Sequence, residues 1–267
     1  MKILVPIDFS QDSLKALEFA LGLGRGKKTE ILLVHIIEVV YDFASQAAIA
    51  LDTMHKDAES MMNKLIKDYS SDEVHLIKII KEGTASISLA RIAEEKNVDL
   101  IVMGTKGASG VKKILIGSTT VNLIKESNIP ILVVPEKSRI EQILNLTLAL
   151  EFSDHEIPLI QKSIGLSKEW DLPLNFLHIQ KTPNFKDKLA AIGLKNYIET
   201  TYDKKNTKVN TINSDTLSEG IETFLSINEE TILIMCHQHK NFWKQMIEGS
   251  QSINMAYHIH IPLLVMN

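Results

Sequence analysis

Short apolar runs recur along the chain and alternate with longer amphipathic stretches. Ile3–Ile7, Ile31–Ile37, Val74–Ile80, Leu100–Met103 and Ile131–Val134 are rich in aliphatic residues on successive positions. Neighbouring side chains of a strand point to opposite faces, so runs of this kind predict strands covered on both sides. Between them, Leu14–Leu23, Ala44–Tyr69, Ile87–Lys96 and Thr119–Ser127 read as helices, with Ser10 placed to cap the first. Strands separated by helices predict a parallel sheet with crossover connections. The expected fold is α/β and doubly wound, with five strands and helices on both faces. Ligands of such sheets bind at the carboxyl ends of the strands, near the switch in strand order.

The same pattern is written a second time. KILVPIDFS (Lys2–Ser10) is matched by NLTLALEFS (Asn145–Ser153), and Asp8 and Glu151 stand 143 positions apart. His35 and His178, each within an apolar run, keep the offset of 143. Met103 and Met235, Gly117 and Gly249, and Pro130 and Pro262 are all offset by 132 instead. The second copy is therefore 11 residues shorter, with the loss between the second strand and the third, which predicts one shortened helix. Ser153 and Glu156 have the spacing of a capping box. A repeat of this length predicts two similar domains in tandem, residues 1–138 and 143–267, joined through the charged stretch near Glu136–Gln142.

Composition narrows the setting. The chain has 267 residues, 45% of them apolar, and a formal net charge of −4. No basic stripe points to nucleic acid. No apolar stretch reaches the roughly 18–20 residues of a membrane span. The single cysteine, Cys236, rules out an intrachain disulfide and suits a reducing compartment. MKILVPID does not read as a signal peptide. A cytoplasmic protein is expected, with neither nucleic acid nor membrane as partner.

The candidate chemistry lies after the fourth strand. DLIVMGTKGASGVKKILIGSTT (Asp99–Thr120) carries Gly104, Gly107 and Gly117-Ser118 with spacings of two and nine residues, plus Gly110. Glycines let the backbone approach a ligand and adopt positive φ. Ser118 and Thr119 open the next helix, whose unpaired N–H groups and positive dipole end suit phosphate. Lys112 and Lys113 add charge. Asp8, at the same sheet edge, can accept hydrogen bonds from ribose hydroxyls, or can be a helix-start acid. The GLGRGKK stretch (Gly22–Lys28) lacks the spacing of a P-loop and reads as a helix terminus.

These residues resemble the universal stress protein family, which carries G-x2-G-x9-G-[ST] after the fourth strand and an aspartate after the first. The resemblance covers both halves, with the full motif in the first alone. It implies that Pro6, Ile7 and Ile36 contact adenine, that Met103 lines the same pocket, and that Gly104, Gly107, Gly117, Ser118 and Thr119 hold phosphates, with Asp8 as the family's aspartate. The ligand so implied is ATP, with magnesium, or a related adenine nucleotide. Family members often pair through their last strands, which implies an internal pseudo-dimer of the two copies and leaves a homodimer open.

The second copy departs from the motif. Cys236 replaces Gly104, His239 replaces Gly107, Phe242 replaces Gly110, and Glu151 replaces Asp8. Nucleotide binding is not expected there. Cys236, His237 and His239, with His155 and Glu151 near the same edge and His258 and His260 before the last strand, are candidate metal ligands set against solvated or packed side chains. His35 and His178 read as core histidines, and Trp170 as a packing residue at a helix end. Three functions compete: a nucleotide-dependent stress-response or signalling switch, a slow ATPase, and a nucleotide-free scaffold or metal-binding protein. No general base stands out beside the phosphate loop, so the first leads.

Overall fold

The computed structural model describes residues 1–38, 44–105, 117–202, 207–236 and 260–266. The chain divides into two compact units, Met1–Ile140 and Glu141–Asn267.

The first unit runs β1 (Lys2–Pro6), α1 (Gln11–Gly24), β2 (Thr29–Ile37), α2 (Ala44–Tyr69), β3 (Val74–Glu82), α3 (Ala85–Glu95), β4 (Leu100–Gly104), α4 (Ser118–Glu126) and β5 (Ile131–Val134). Its strands lie in the order β3-β2-β1-β4-β5. All pairings are parallel, with Val5 beside Leu33, Leu4 beside Ile101 and Met103 beside Val133. Ile3, Leu4, Val5, Ile101 and Val102 have no exposed surface, so both faces of the central strands are covered. With the right-handed crossovers usual for parallel strands, this order puts α1 and α2 on one face and α3 and α4 on the other, and α3 and α4 pack on each other.

Local signals explain the first helix. The Ser10 hydroxyl accepts from the Ser13 amide at 3.3 Å, and Asp12 lies in the first turn, where the helix dipole favours an acid. Gly26 turns the chain out of the helix at φ 72°, as a terminating glycine should, and its amide donates to Glu73. The helices begin earlier than periodicity alone suggests: α1 starts at Gln11, α3 at Ala85 and α4 at Ser118. In α1 the added turn is the polar Gln11-Asp12-Ser13, so its apolar stripe starts one turn inside the helix.

The second unit repeats the plan with β6 (Asn145–Leu150), α5 (Ile157–Trp170), β7 (Leu174–Gln180), α6 (Phe185–Tyr202), β8 (Val209–Asn213), α7 (Leu217–Leu225), β9 (Thr231–Cys236) and β10 (Leu263–Met266). Its order is β8-β7-β6-β9-β10, again parallel throughout. The shortened helix is α6, with 18 residues against the 26 of α2. Trp170 ends α5 and is buried, as the sequence suggested. In both units β1 and β6 have a sequence neighbour on one side and a strand from the second half of the unit on the other. That is the switch point at which a crevice opens.

Candidate functional site

In the first unit the crevice is a cavity of about 440 Å³. Pro6, Ile7 and Asp8 reach it from the end of β1, and Ile36 and Glu38 from the end of β2. Met103 and Gly104 enter from β4, and Gly117, Ser118 and Thr119 from the start of α4. Met54, Ala85 and Leu89 form apolar wall on α2 and α3. The structure thus gathers the site residues read from the sequence around one space. Gly107, with Gly110, Lys112 and Lys113, lies outside the described residues.

Each wall has a local cause. Gly104 ends β4 against the first turn of α1, and a Cβ there would stand 2.8 Å from both the Cβ and the carbonyl oxygen of Asp12. The next residue, Thr105, donates its hydroxyl to Asp12 Oδ2 at 3.2 Å, and its carbonyl accepts the Gly117 amide at 2.7 Å. Gly117 is the N-cap residue of α4 and brings no side chain to bond the helix amides. The first turn of α4 therefore offers N–H groups beside the cavity, the arrangement that receives an anion. Thr120 closes the turn by donating its hydroxyl to the Gly104 carbonyl at 3.4 Å.

The ends of β1 and β2 bring two acids to the cavity, Asp8 and Glu38. Asp8 accepts from the Ser10 amide at 3.0 Å and the Ser10 hydroxyl at 2.5 Å through Oδ1, which fixes its carboxylate over the turn after β1. Phe9 within that turn has φ 63°. Glu38 accepts from the Ala85 amide at 3.0 Å and so caps α3, whose N-cap Thr84 gives no side-chain bond. His35 donates Nδ1–H to the Ile7 carbonyl at 2.7 Å, since a carbonyl oxygen can only accept. Contrary to the core position expected for it, His35 is half-buried and lines the cavity, because the pairing of β1 with β2 ends at Pro6 and Val34, one residue before it.

In the second unit the equivalent space has shrunk to about 290 Å³, lined by Leu150, Glu151, His178, Gln180 and Met235 among others. Glu156 stands where the first unit has Ser13. Its carboxylate accepts the Glu151 amide at 2.7 Å and the Ser153 amide at 2.8 Å, and the residue is 6% exposed. The predicted capping box is present, and the same side chain also takes an amide beyond it. A built-in carboxylate therefore occupies the turn that faces the cavity in the first unit. His178 repeats the bond of His35, with Nδ1 at 2.9 Å from the Leu150 carbonyl, and is buried as expected. Cys236 is half-buried, while His237, His239 and His258 lie outside the described residues, and His155 and His260 are exposed. No group of three metal-capable side chains occurs among the described residues.

Comparison with known proteins agrees with this fold. The model of the universal stress protein family matches residues 1–135. Universal stress protein MJ0577 of Methanocaldococcus jannaschii is 32% identical over 155 residues, covering 51% of this chain and 96% of that protein. Universal stress protein YxiE of Bacillus subtilis is 29% identical over 144 residues, covering 50% and 97%. Among solved structures, a universal stress protein from Archaeoglobus fulgidus covers 100% of this chain and 96% of its own at TM-score 0.75, with 20% identity, which speaks to the fold of both units. No described helix is long and apolar enough to cross a membrane.

Proposed function

Given that the chain belongs to the universal stress protein family, we propose that its first unit binds ATP, or a related adenine nucleotide, and acts as a stress-response or signalling switch. The observation that carries the reading is the cavity itself. It has a glycine that its neighbours require at Gly104, and an α4 N-terminus without a side-chain cap. The adenine lies against the backbone of Pro6, Ile7 and Ile36 and the side chain of Met103. Asp8, already oriented by Ser10, takes the ribose hydroxyls. The phosphates, with their magnesium, lie on the amides of Gly117, Ser118 and Thr119 and on Gly107.

The positive dipole end and uncapped N–H groups of α4 draw the phosphates to that side of the cavity and so fix the direction of the nucleotide. Bound ATP holds the chain between Gly104 and Gly117 and biases a surface that other proteins read. The second unit, with Glu156 across its turn and Cys236 at the position of Gly104, binds no nucleotide in this reading.

The test is mass spectrometry of small molecules released from freshly purified protein, with ATP titration of wild type and Gly117→Val. About one ATP per chain, lost in the variant, supports the proposal. Absence of nucleotide together with no titratable binding overturns it. Hydrogen exchange then separates switch from store: a switch protects residues around Thr105 and Gly117 when ATP saturates, and unchanged exchange removes that part. Single-turnover hydrolysis lost in Asp8→Ala would favour the ATPase instead.

A further inference from the structure

We infer that Asp12 is a positioning residue for the phosphate end of the site, acting through Thr105. This rests on the nucleotide reading of the first unit and names a residue outside the family motif. Asp12 does not line the cavity. It lies behind it in the first turn of α1, only 7% exposed, and reaches across 93 residues of sequence to the Thr105 hydroxyl at 3.2 Å. Thr105 is 6% exposed, and its carbonyl accepts the amide of Gly117 at 2.7 Å. One residue therefore ties both ends of the glycine-containing segment. Its side chain is held by Asp12 and its backbone holds Gly117, the residue on which α4 begins.

The contact is close as well as polar. Gly104 packs directly on the Asp12 backbone, so no side chain can separate β4 from α1 at this point. The helix dipole favours a carboxylate at the first turn of α1, so a buried acid can remain there beside a site for anions. Thr105 uses it as an acceptor, and the charge stays one residue layer away from the ligand. The second copy gives an internal contrast. The positions of Asp12, Gly104 and Thr105 hold His155, Cys236 and His237. Asp12, Gly104 and Thr105 are thus all replaced in the second copy, although Gly249 still stands at the position of Gly117.

The role is distinguishable from general support of the fold. A positioning residue for the phosphate end should matter for ATP and not for adenosine, which lacks phosphates. Full-length wild type, Asp12→Ala, Asp12→Asn, Thr105→Val and the Asp12→Ala/Thr105→Val double variant are titrated calorimetrically with both probes. Asp12→Ala is expected to weaken ATP binding roughly three- to tenfold, the worth of one buried hydrogen bond, and to leave adenosine within about twofold. Asp12→Asn keeps an acceptor for Thr105 and should restore ATP binding. Thr105→Val should weaken ATP binding in the same direction, and the double variant should lose less than the sum of the two single losses.

Equal losses for ATP and adenosine, or an Asp12→Ala protein that binds ATP like wild type, would overturn the inference. Amide exchange at Gly117 without nucleotide is the second readout. Asp12→Ala should speed it at least severalfold and Asp12→Asn should not; unchanged exchange also overturns the inference. If wild type binds neither probe while Gly117 exchange responds as expected, the nucleotide reading fails and the tie to Gly117 stands.

Discussion

The ring of Phe9 lies with its centroid 4.8 Å from that of His35, across the end of the first strand pair. The second copy repeats the contact, with Phe152 stacked 4.2 Å from His178. In both, the phenylalanine has a positive φ, 63° and 60°, and the histidine bonds the carbonyl that closes the strand. A bulky residue in the left-handed region is strained, so something must hold it there. The ring contact holds it, and the turn then aims Asp8 at the cavity.

That arrangement makes an unusual prediction about glycine. Phe9→Ala removes the ring but keeps a Cβ at positive φ, and is expected to cost about 1–2 kcal/mol. Phe9→Gly loses the same ring but sheds the φ strain, and should recover about 1 kcal/mol of it. Urea unfolding followed by tryptophan-independent circular dichroism orders the three proteins. Glycine below alanine would show that Phe9 is not strained in solution.

Two glycines of the first unit separate space from conformation. Gly104→Ala drives a methyl into the Asp12 backbone at 2.8 Å, which cannot rotate away. The expected cost is about 1–3 kcal/mol, together with loss of ATP binding, because β4 and α1 must part behind the phosphate end. Gly26→Ala meets nothing within 4 Å and is disfavoured only by its φ of 72°. It should cost about 1 kcal/mol and leave ATP binding unchanged. Thermal melts and ATP titration of both variants check the pair; equal effects on binding would remove the packing argument.

Much of this was legible in the sequence because it is periodic or repeated. Aliphatic runs mark strands whichever way they pack, and two copies of one pattern expose each other's constants, such as the acid-Phe-Ser after the first strand. The candidate residues of the first unit follow the strand ends and the start of α4, so the fold brings most of them to one cavity. Tertiary polar contacts left no such trace. Asp12 and Thr105 are ordinary residues in ordinary places until β4 is laid beside α1. Glu156 announced a capping box by spacing, but its bond to Glu151 depends on how the turn after β6 folds back. The position of Phe9 at positive φ had no composition signal either, since that region is the habit of glycine and asparagine. His35 looks like core because its strand is apolar, and only the end of the β1 pairing one residue before it makes it wall.

The last prediction concerns acid. Asp187 opens α6 beside Asn184, whose amide group donates to its carboxylate at 2.6 Å and whose oxygen accepts the Asp187 amide at 2.8 Å. The buried ring of His178 lies 3.3 Å from the same carboxylate oxygen, without the alignment of a hydrogen bond. The Asn184 bond first, and then the nearby His178 ring, hold the Asp187 carboxyl below the usual carboxylate range, against a desolvation that acts the other way. A group whose pKa is lower folded than unfolded adds stability above its unfolded pKa and loses it as pH falls through the folded one. Asp187→Asn keeps an oxygen for Asn184 and removes the charge. The melting temperature of wild type should therefore exceed that of the variant at about pH 6, and the gap should narrow once pH falls below the ordinary aspartate value of about 3.9 and close below the lowered folded one. Melts of the two proteins across that range give the answer directly. A gap that stays constant, or widens in acid, would mean that the carboxylate at the start of α6 contributes nothing through its charge, and that Asn184 caps the helix alone.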